Sequence, residues 1–248
     1  MKKLLIAFMF VFPLIANADD LKIKADEKVE WHNKEAKMVA VGNAEASNSS
    51  MKVNANKLEA FYSEANGKKE ISKVFGFDNV VLTSDSAKGY GDKLEYSMAK
   101  EEAILTGKPA KIVTENETLE ADDNIFYYPT KKEAIAKGGV KAKTKDGNTI
   151  IADELKAYFK ETNNSSMELD KVDIFDNIKI ITKDATVTAN TGTYYPTLGE
   201  VHLFDDVTIF QKDNELKGDK AVANLKTGVS KIIAGSKGQV KGTFKAKE

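Results

Sequence analysis

Few residues in this chain have the types and the spacing that site chemistry requires. The two histidines, His32 and His202, are 170 positions apart (202 minus 32), and neither has a metal-ligand partner at helical or hairpin spacing. The chain has no cysteine, which excludes a thiol nucleophile, and no Gly-x-Ser-x-Gly sequence marks a serine nucleophile. We therefore predict no catalytic residue, no metal site and no cofactor.

Carboxylates are the one abundant reactive group, with 38 aspartates and glutamates in the chain. A pair of them could act as acid and base in glycoside hydrolysis, and parallel β-helices do host such enzymes. However, no cluster of acids and aromatics stands out from the rest of the sequence. The acidic clusters at 122–124 and 170–176 lack the spaced ligands, glycine and terminal glutamate of a calcium loop, so we interpret them as solvated turns. The sequence favours a protein that is not an enzyme.

The first 18 residues match the pattern of a cleaved signal peptide. Lys2 and Lys3 precede an apolar stretch from Leu4 to Ile15, and Ala16-Asn17-Ala18 then supplies a small-x-small cleavage pattern. The apolar stretch is too short to cross the roughly 30 Å hydrocarbon core of a bilayer as a helix. We predict a signal peptide at 1–18, a secreted domain at 19–235 and a basic flexible tail at 236–248.

The secreted chain would carry nearly balanced charge. Removing the signal peptide removes two of the 37 basic residues, which leaves 35 lysines against 38 acids and a net charge of 35 − 38 = −3. This balance gives no electrostatic argument for nucleic acid as a partner. Because the chain contains no arginine, an anion would be bound by lysine ammonium groups rather than by bidentate guanidinium groups.

A repeat of about 30 residues is the strongest pattern in the sequence. In each repeat an alternating apolar strand is interrupted by a two-residue polar or glycine step, for example Asp78-Asn79 or Asp176-Asn177. The markers of this step are Asn43, Asn79, Lys108, Gly139, Asn177 and Asp206, at spacings of 36, 29, 31, 38 and 29 residues. A second series of markers, in which a small residue precedes Asn or Asp, comprises Asn56, Asp92, Asp122, Asp153, Asn190 and Asp219, at spacings of 36, 30, 31, 37 and 29 residues.

The agreement between the two series predicts an all-β repeat protein. Alternation with a period of two is typical of strands with one buried face. One repeat cannot bury its apolar face alone, but neighbouring repeats stacked side by side can share an interior. We therefore predict an elongated stack of antiparallel strands, with a globular β-sandwich of accidental self-similarity as the alternative.

Several stretches in the first half resemble a known family. The segment from Asp20 to Asp26, then Val41-Gly42-Asn43-Ala44 and Met51 to Leu58, looks like the opening of the OstA-like domain of the LptA family. Gly91 to Lys100, leading into Ile104-Leu105-Thr106-Gly107, is also similar to the pattern of that family. The resemblance covers Leu21 to about Val113, and the repeats extend it to about Gly235. It implies an open β-jellyroll located in the periplasm.

The resemblance also implies a function and a set of partners. Copies or relatives of the chain would join end to end into a bridge, as a homo-oligomer or with other OstA-like jellyroll proteins at the inner and outer membranes. Lipopolysaccharide would move through this bridge on the acyl chains of its lipid A. Carried over by position, the resemblance places Leu21, Ile23 and Met98 on the lipid groove. The i, i+2 spacing of Phe75 with Phe77, and of Leu94 with Tyr96, adds these four side chains as candidates.

A second function class stays open on the sequence. The same repeats could form an envelope structural or adhesin-like β-solenoid with a closed core and no lipid cargo. The chain is also longer than a typical stand-alone member of the family, so that extra repeats could lengthen the groove or adapt it to another lipid. Uptake of a hydrophobic dye, and its displacement by lipopolysaccharide, would separate a carrier from a closed solenoid.

Overall fold

The computed structural model describes residues 22–48, 51–65, 68–162, 167–212, 214–224, 230–235 and 238–243. The predicted signal peptide and the candidate Leu21 lie outside the described residues. By its contacts the chain divides into two compact units. The N-terminal unit contains the described residues 22–115 and 120–134, and the C-terminal unit contains the described residues 116–119 and 135–243.

Strands dominate both units. The strands of the N-terminal unit are β1 (Lys22–Lys24), β2 (Lys28–His32), β3 (Lys37–Ser47), β4 (Met51–Ala65), β5 (Lys68–Ser84), β6 (Ala87–Ser97), β7 (Glu102–Thr106), β8 (Ala110–Thr114) and β10 (Asn124–Tyr128). The strands of the C-terminal unit are β12 (Thr149–Glu161), β13 (Met167–Ile181), β14 (Thr186–Tyr195), β15 (Glu200–Gln211), β16 (Asn214–Asn224), β17 (Ser230–Ile233) and β18 (Lys241–Thr243). Two further strands, β9 (Glu117–Ala121) and β11 (Glu133–Thr144), include residues of both units.

The prediction of an all-β jellyroll built from antiparallel strands is confirmed. From β3 to β6, and again from β12 to β16, each strand pairs antiparallel with the next one along the chain. The one described helical segment is a single 3-10 turn at Asn33–Glu35. Among the described residues there is accordingly no helix with the length and apolar character needed to cross a membrane.

The first and last long strands are each flanked by two short ones. β3 pairs with β1 near its C-terminal end and with β2 near its N-terminal end. In the same way β16 pairs with both β17 and β18. Three residues of the predicted tail, Lys241–Thr243, are therefore part of a ladder, and a flexible tail stays a prediction only for the rest of 236–248.

Most markers of the two series, although not Lys108, lie at one recurring irregularity of the ladders. Asp78 and Asn79 on β5 both have positive φ, and together they lie opposite the single residue Asp92 on β6. The same two-against-one bulge places 176–177 opposite Asn190, and 205–206 opposite Asp219. Asn and Asp are tolerated in this left-handed conformation because their short polar side chains bond locally. The two series share their spacing because each bulge needs a residue from both.

Side-chain hydrogen bonds connect each of these bulges to the preceding strand. The amide Nδ2 of Asn79 donates to Oδ1 of Asn56 at 3.3 Å. Three repeats later, in the C-terminal unit, Nδ2 of Asn177 donates to Oδ2 of Asp153 at 2.7 Å. The polar residues that mark the repeat therefore satisfy each other's hydrogen-bonding groups at the point where the ladder is interrupted.

On β5 the residues before and after the bulge bury the same face of the strand. On β5, Val74 and Gly76 are buried before the bulge, and Val80 and Leu82 are buried after it. Because two residues of β5 occupy the bulge, the period-two alternation has the same phase on both sides of it, and the same face stays buried. We call this the inner face of the strand, and the opposite one the outer face. In the C-terminal unit the inner face supplies a tightly packed core, whose largest fully buried side chains are Leu119, Val140, Leu155, Val172, Ile174, Ile178, Tyr194, Leu203 and Val207.

Candidate functional site

The N-terminal unit contains an apolar cavity on its inner face. The cavity has a volume of about 820 Å³, including the part that is open to solvent. Six consecutive strands each contribute side chains to its wall, among them Ile23 of β1, Val29 of β2, Met38 of β3, Leu58 of β4, Val74 of β5 and Tyr96 of β6. Apolar side chains make up most of the wall, as is typical of small-molecule sites.

Strand register explains why this wall is apolar. Ile23 lies opposite Ala46, and Ala46 lies opposite Val53, so that one cross-strand row of the wall carries three apolar side chains. Small residues, including Ala40 and Ala60, occupy other wall positions and leave the space that larger side chains would fill. The one charged residue at the described wall is Glu59, whose carboxylate lies 2.6 Å from Nζ of Lys57.

One side of the cavity is bordered by the short strands β1 and β2, where apolar side chains meet solvent. Val29 lines the cavity and is 53% exposed, and Trp31, two residues further along β2, is 55% exposed. The indole Nε1 of Trp31 donates a hydrogen bond to the hydroxyl of Tyr62. An apolar wall that is partly exposed and ends at an exposed tryptophan is accessible to a ligand from solution.

Lysine side chains lie on the outer face close to the same wall. Nζ of Lys52 is 3.1 Å and Nζ of Lys24 is 3.7 Å from the carboxylate of Glu45. Hydrogen bonding by Lys52 lowers the pKa of Glu45 from its ordinary value. Lys24 follows the wall residue Ile23 in sequence, and Lys52 precedes the wall residue Val53.

Three of the residues that the sequence proposed for lipid contact lie at the cavity. Ile23, Leu94 and Tyr96 all belong to its wall. The hydroxyl of Tyr96 donates to the sulfur of Met98 at 2.8 Å, and burial raises the pKa of Tyr96 to about 12. Met98 is half-buried in the turn that follows β6 and contacts the wall through Tyr96. Whether these side chains bind lipid stays a prediction.

The structure corrects the placement of Phe75 and Phe77, which do not face the cavity. They alternate with the buried residues Val74 and Gly76 and therefore project from the outer face of β5. Their rings are stacked at a centroid separation of 6.1 Å. Nζ of Lys93 is 5.7 Å from the ring of Phe75, and Nζ of Lys57 is 5.6 Å from the ring of Phe77. Spacing alone put both residues on one face, but it could not say which face is inside.

Several wall residues were not singled out from the sequence. Val29, Met38, Ala40 and Ala60 look like ordinary strand residues, and an alanine gives no signal of ligand contact. The signal that could have found them is register, because Met38 lies opposite Ala60 and Ala40 lies opposite Leu58. Cross-strand register depends on the hairpins and bulges and is not visible in one strand alone.

Both histidines pair with a glutamate two residues earlier on the same strand. Nε2 of His32 is 3.4 Å from Glu30, and Nε2 of His202 is 3.1 Å from Glu200. The hydrogen bond with His202 lowers the pKa of Glu200. In the part of the chain that the structure describes, no group of three or more His, Asp or Glu residues is arranged to hold a metal ion. The histidines are therefore hydrogen-bond partners of glutamates on the outer face.

A family model matches the chain twice. The family is described as LptA/(LptD N-terminal domain) LPS transport protein, and the matches cover residues 22–131 and 118–229. The chain belongs to this family. The resemblance seen in the sequence is thereby confirmed. Members of the LptA/LptD N-terminal family are transport proteins, so membership also confirms the expectation that the chain is not an enzyme.

The two matches divide the series of repeats between them. The first matched range contains strands β1 to β10, including the whole cavity wall, and the second contains strands β11 to β16. No curated protein sequence matches the chain. Among solved structures, LptH of Pseudomonas aeruginosa, described as the LptA homologous periplasmic component of the lipopolysaccharide transport device, aligns with 12% identity and a TM-score of 0.24. That alignment covers 92% of this chain and 96% of LptH.

Proposed function

We propose that this member of the LptA/LptD N-terminal family is a periplasmic carrier that binds lipopolysaccharide through its acyl chains. The observation that carries the proposal is the apolar cavity of the N-terminal unit, whose wall is built by six strands and is open to solvent on one side. Family membership supplies the class of cargo, and the cavity supplies a place for its apolar part.

The physical basis is the transfer of methylene groups out of water. Each methylene that is buried contributes about 0.8 kcal/mol. Burial of several methylenes of one acyl chain is therefore enough for binding without any specific polar contact. A wall of aliphatic side chains suits this purpose because it offers contact area and no fixed hydrogen-bonding direction. An acyl chain can therefore enter, slide and leave, as a transport protein requires.

The anionic headgroup would remain outside the cavity and meet ammonium groups. Lys24 and Lys52 are close to the wall, and the side chain of Lys24 is 75% exposed. A lysine binds phosphate as a point charge and does not impose the geometry of a guanidinium fork. This arrangement favours a phosphorylated lipid over a neutral one, without selecting the orientation of the headgroup.

The bridge is the finer part of the proposal. In the described residues, β1 and β2 are short and pair with β3, and Val29 and Trp31 are exposed on β2. A strand edge of this kind can pair with an edge of another chain. End-to-end association of copies, or of relatives at the inner and outer membranes, would place the cavities of successive chains in series. Light scattering over a concentration series should show association. A chain that stays monomeric at every concentration, and that does not bind isolated domains of the same family, would contradict the bridge.

A structural β-solenoid without cargo is the second candidate. It is favoured by the C-terminal unit, where the inner-face side chains of Val172, Ile174 and Leu203 have almost no exposure. A hydrophobic dye separates the two candidates. The carrier should take up the dye in the cavity, release it when lipopolysaccharide is added, and lose uptake in Met38→Asp. A folded protein that takes up no dye would favour the solenoid.

A further inference from the structure

The two units share a bulge sequence but differ in what lies just before the bulge. The segment from Val74 to Val80 aligns with the segments 172–178 and 201–207 without gaps. Val74, Val172 and Val201 occupy the same inner-face position in the three segments. Two residues later the N-terminal unit has Gly76, whereas the C-terminal unit has Ile174 and Leu203 at the equivalent positions.

This difference coincides with the packing of the two interiors. Val74 lines the cavity and is 8% exposed, and Ala60 beside it is 7% exposed. At the position of Val74 the C-terminal unit has Val172 and Val201, which are 0% and 2% exposed, and at the position of Gly76 it has Ile174 and Leu203, which are 0% and 2% exposed. A side chain of four carbons thus fills the interior where the N-terminal unit has a glycine.

Gly76 lies next to two residues of the cavity wall. A Cβ atom added at Gly76 would lie 3.4 Å from Cδ2 of Leu58, 3.4 Å from Cβ of Leu94 and 3.4 Å from Cγ2 of Val80. Leu58 and Leu94 are both wall residues. A first carbon is accommodated at ordinary contact distance, but the rest of an isoleucine side chain would have to displace one or both of these leucines.

We infer that acyl chains are held in the N-terminal unit and excluded from the interior around Ile174 and Leu203, and that the residue at the position of Gly76 decides which unit is a lipid site. The inference rests on the proposed function and refines it. One chain with two family-type domains would then hold lipid in one of them. The other would serve as a packed module whose interior the lipid does not enter unless its core opens.

Photolabelling of the unmodified chain tests this inference. The probe is lipid A that carries a diazirine on an acyl chain, and trypsin then releases the matched peptides 74–88 and 172–179, which follow Lys73 and Lys171. We expect label in peptide 74–88 and in other wall peptides, and at most background in peptide 172–179. The peptide 184–212 must be measured too, because it contains Ile209, which is half-buried on the inner face of β15.

The substitution Gly76→Ile gives the inference a second, independent test. It places in the N-terminal unit the residue that the C-terminal unit has at this position. Loss of contact with one or two methylenes should lower labelling of peptide 74–88 about tenfold, at unchanged circular dichroism. The substitution Val81→Ile, on the outer face of the same strand, is the control and should leave labelling unchanged.

The outcomes distinguish this inference from the proposed function. Comparable labelling of the two units, in peptide 172–179 or in peptide 184–212, would overturn the inference and leave the carrier function intact. Absence of label everywhere would overturn both. If Gly76→Ile fails to fold, the comparison of matched peptides in the unmodified chain still decides between one lipid-holding unit and two.

Discussion

The indole Nε1 of Trp31 donates a hydrogen bond to the hydroxyl oxygen of Tyr62 at 2.8 Å, with the two ring centroids 5.8 Å apart. This contact connects the exposed strand β2 to the long strand β4 next to the cavity. Trp31 follows the wall residue Val29 by two positions and therefore shares its face. It is also the one tryptophan of the chain, so its fluorescence reports on this side of the cavity alone.

Tryptophan emission should therefore respond to lipid. An acyl chain bound against Val29 would cover part of the indole, which is 55% exposed without ligand. We expect the emission maximum to move to shorter wavelength and to saturate as lipid A is added. Trp31→Phe should lose the signal but keep binding, as measured by co-migration with labelled lipid. Emission that stays constant while lipid co-migrates would show that the ligand binds elsewhere.

A charge placed on the cavity wall should reduce binding. Ile23→Asp puts a carboxylate among Ala46, Val53 and Met51, where an acyl chain would have to lie against it. Burying a charged group without a partner is costly, so we expect affinity for lipid A to fall at least about tenfold. The neighbouring substitution Lys22→Asp adds the same group on the exposed face of β1 and serves as control. Equal affinity of the two variants would remove Ile23 from the site.

The outer-face placement of Phe75 and Phe77 predicts a change in stability without a change in binding. Phe77→Ala removes the ring that stacks on Phe75 and that lies 5.6 Å from Nζ of Lys57. We expect the free energy of unfolding to fall by about 1–2 kcal/mol, because an aromatic pair and part of its buried area are lost. Urea denaturation measures the first effect and lipid titration the second. If Phe77→Ala binds lipid more weakly under conditions in which it is fully folded, the outer face contacts lipid.

The C-terminal unit contains an acid whose protonation should make stability depend on pH. Burial raises the pKa of Glu117 to about 8, from an ordinary value of 4.5. Below about pH 4.5 the carboxyl group is protonated in the folded and the unfolded chain alike. Between pH 4.5 and 8 only the unfolded chain releases the proton, so the free energy of unfolding should decrease as the pH rises through this range.

The variant Glu117→Gln keeps the shape of the side chain but cannot ionise. It should be more stable than the natural chain at pH 8 by on the order of 1–3 kcal/mol, and its stability should depend less on pH between 5 and 8. Glu115→Gln, which changes an exposed acid two residues earlier, is the matched control. Equal pH dependence of all three proteins would show that Glu117 ionises freely in the folded state.

Much of the architecture could be predicted from the sequence because the repeat leaves a signal in residue types. Two residues such as Asp78 and Asn79 must adopt positive φ, and few residue types do so without strain, so the bulges are visible as Asn, Asp and Gly at fixed spacing. The period-two alternation around each bulge then marks the strands. These are local constraints, and a single sequence is enough to reveal them.

The cavity was harder to predict because it depends on relations between strands. Ile23, Leu94 and Tyr96 were proposed from resemblance and spacing, and all three border it. Phe75 and Phe77 have the same spacing as Leu94 and Tyr96 but lie on the other face, since the parity of a strand is set by its partners and by the bulge. Ala60 contributes to the cavity because its side chain is small and leaves space. That space can be recognised only when the neighbouring side chains on the adjacent strands are known.

The most direct test of the carrier function is native mass spectrometry of the protein released from its own cell envelope without detergent. If the cavity of the N-terminal unit binds lipopolysaccharide, a fraction of the chains should retain one lipid A-containing molecule. That fraction should fall to background in Ile23→Asp and persist in Lys22→Asp. Protein that is isolated without bound lipid, and that still binds none after incubation with purified lipopolysaccharide at concentrations that saturate other lipopolysaccharide carriers, would contradict the account.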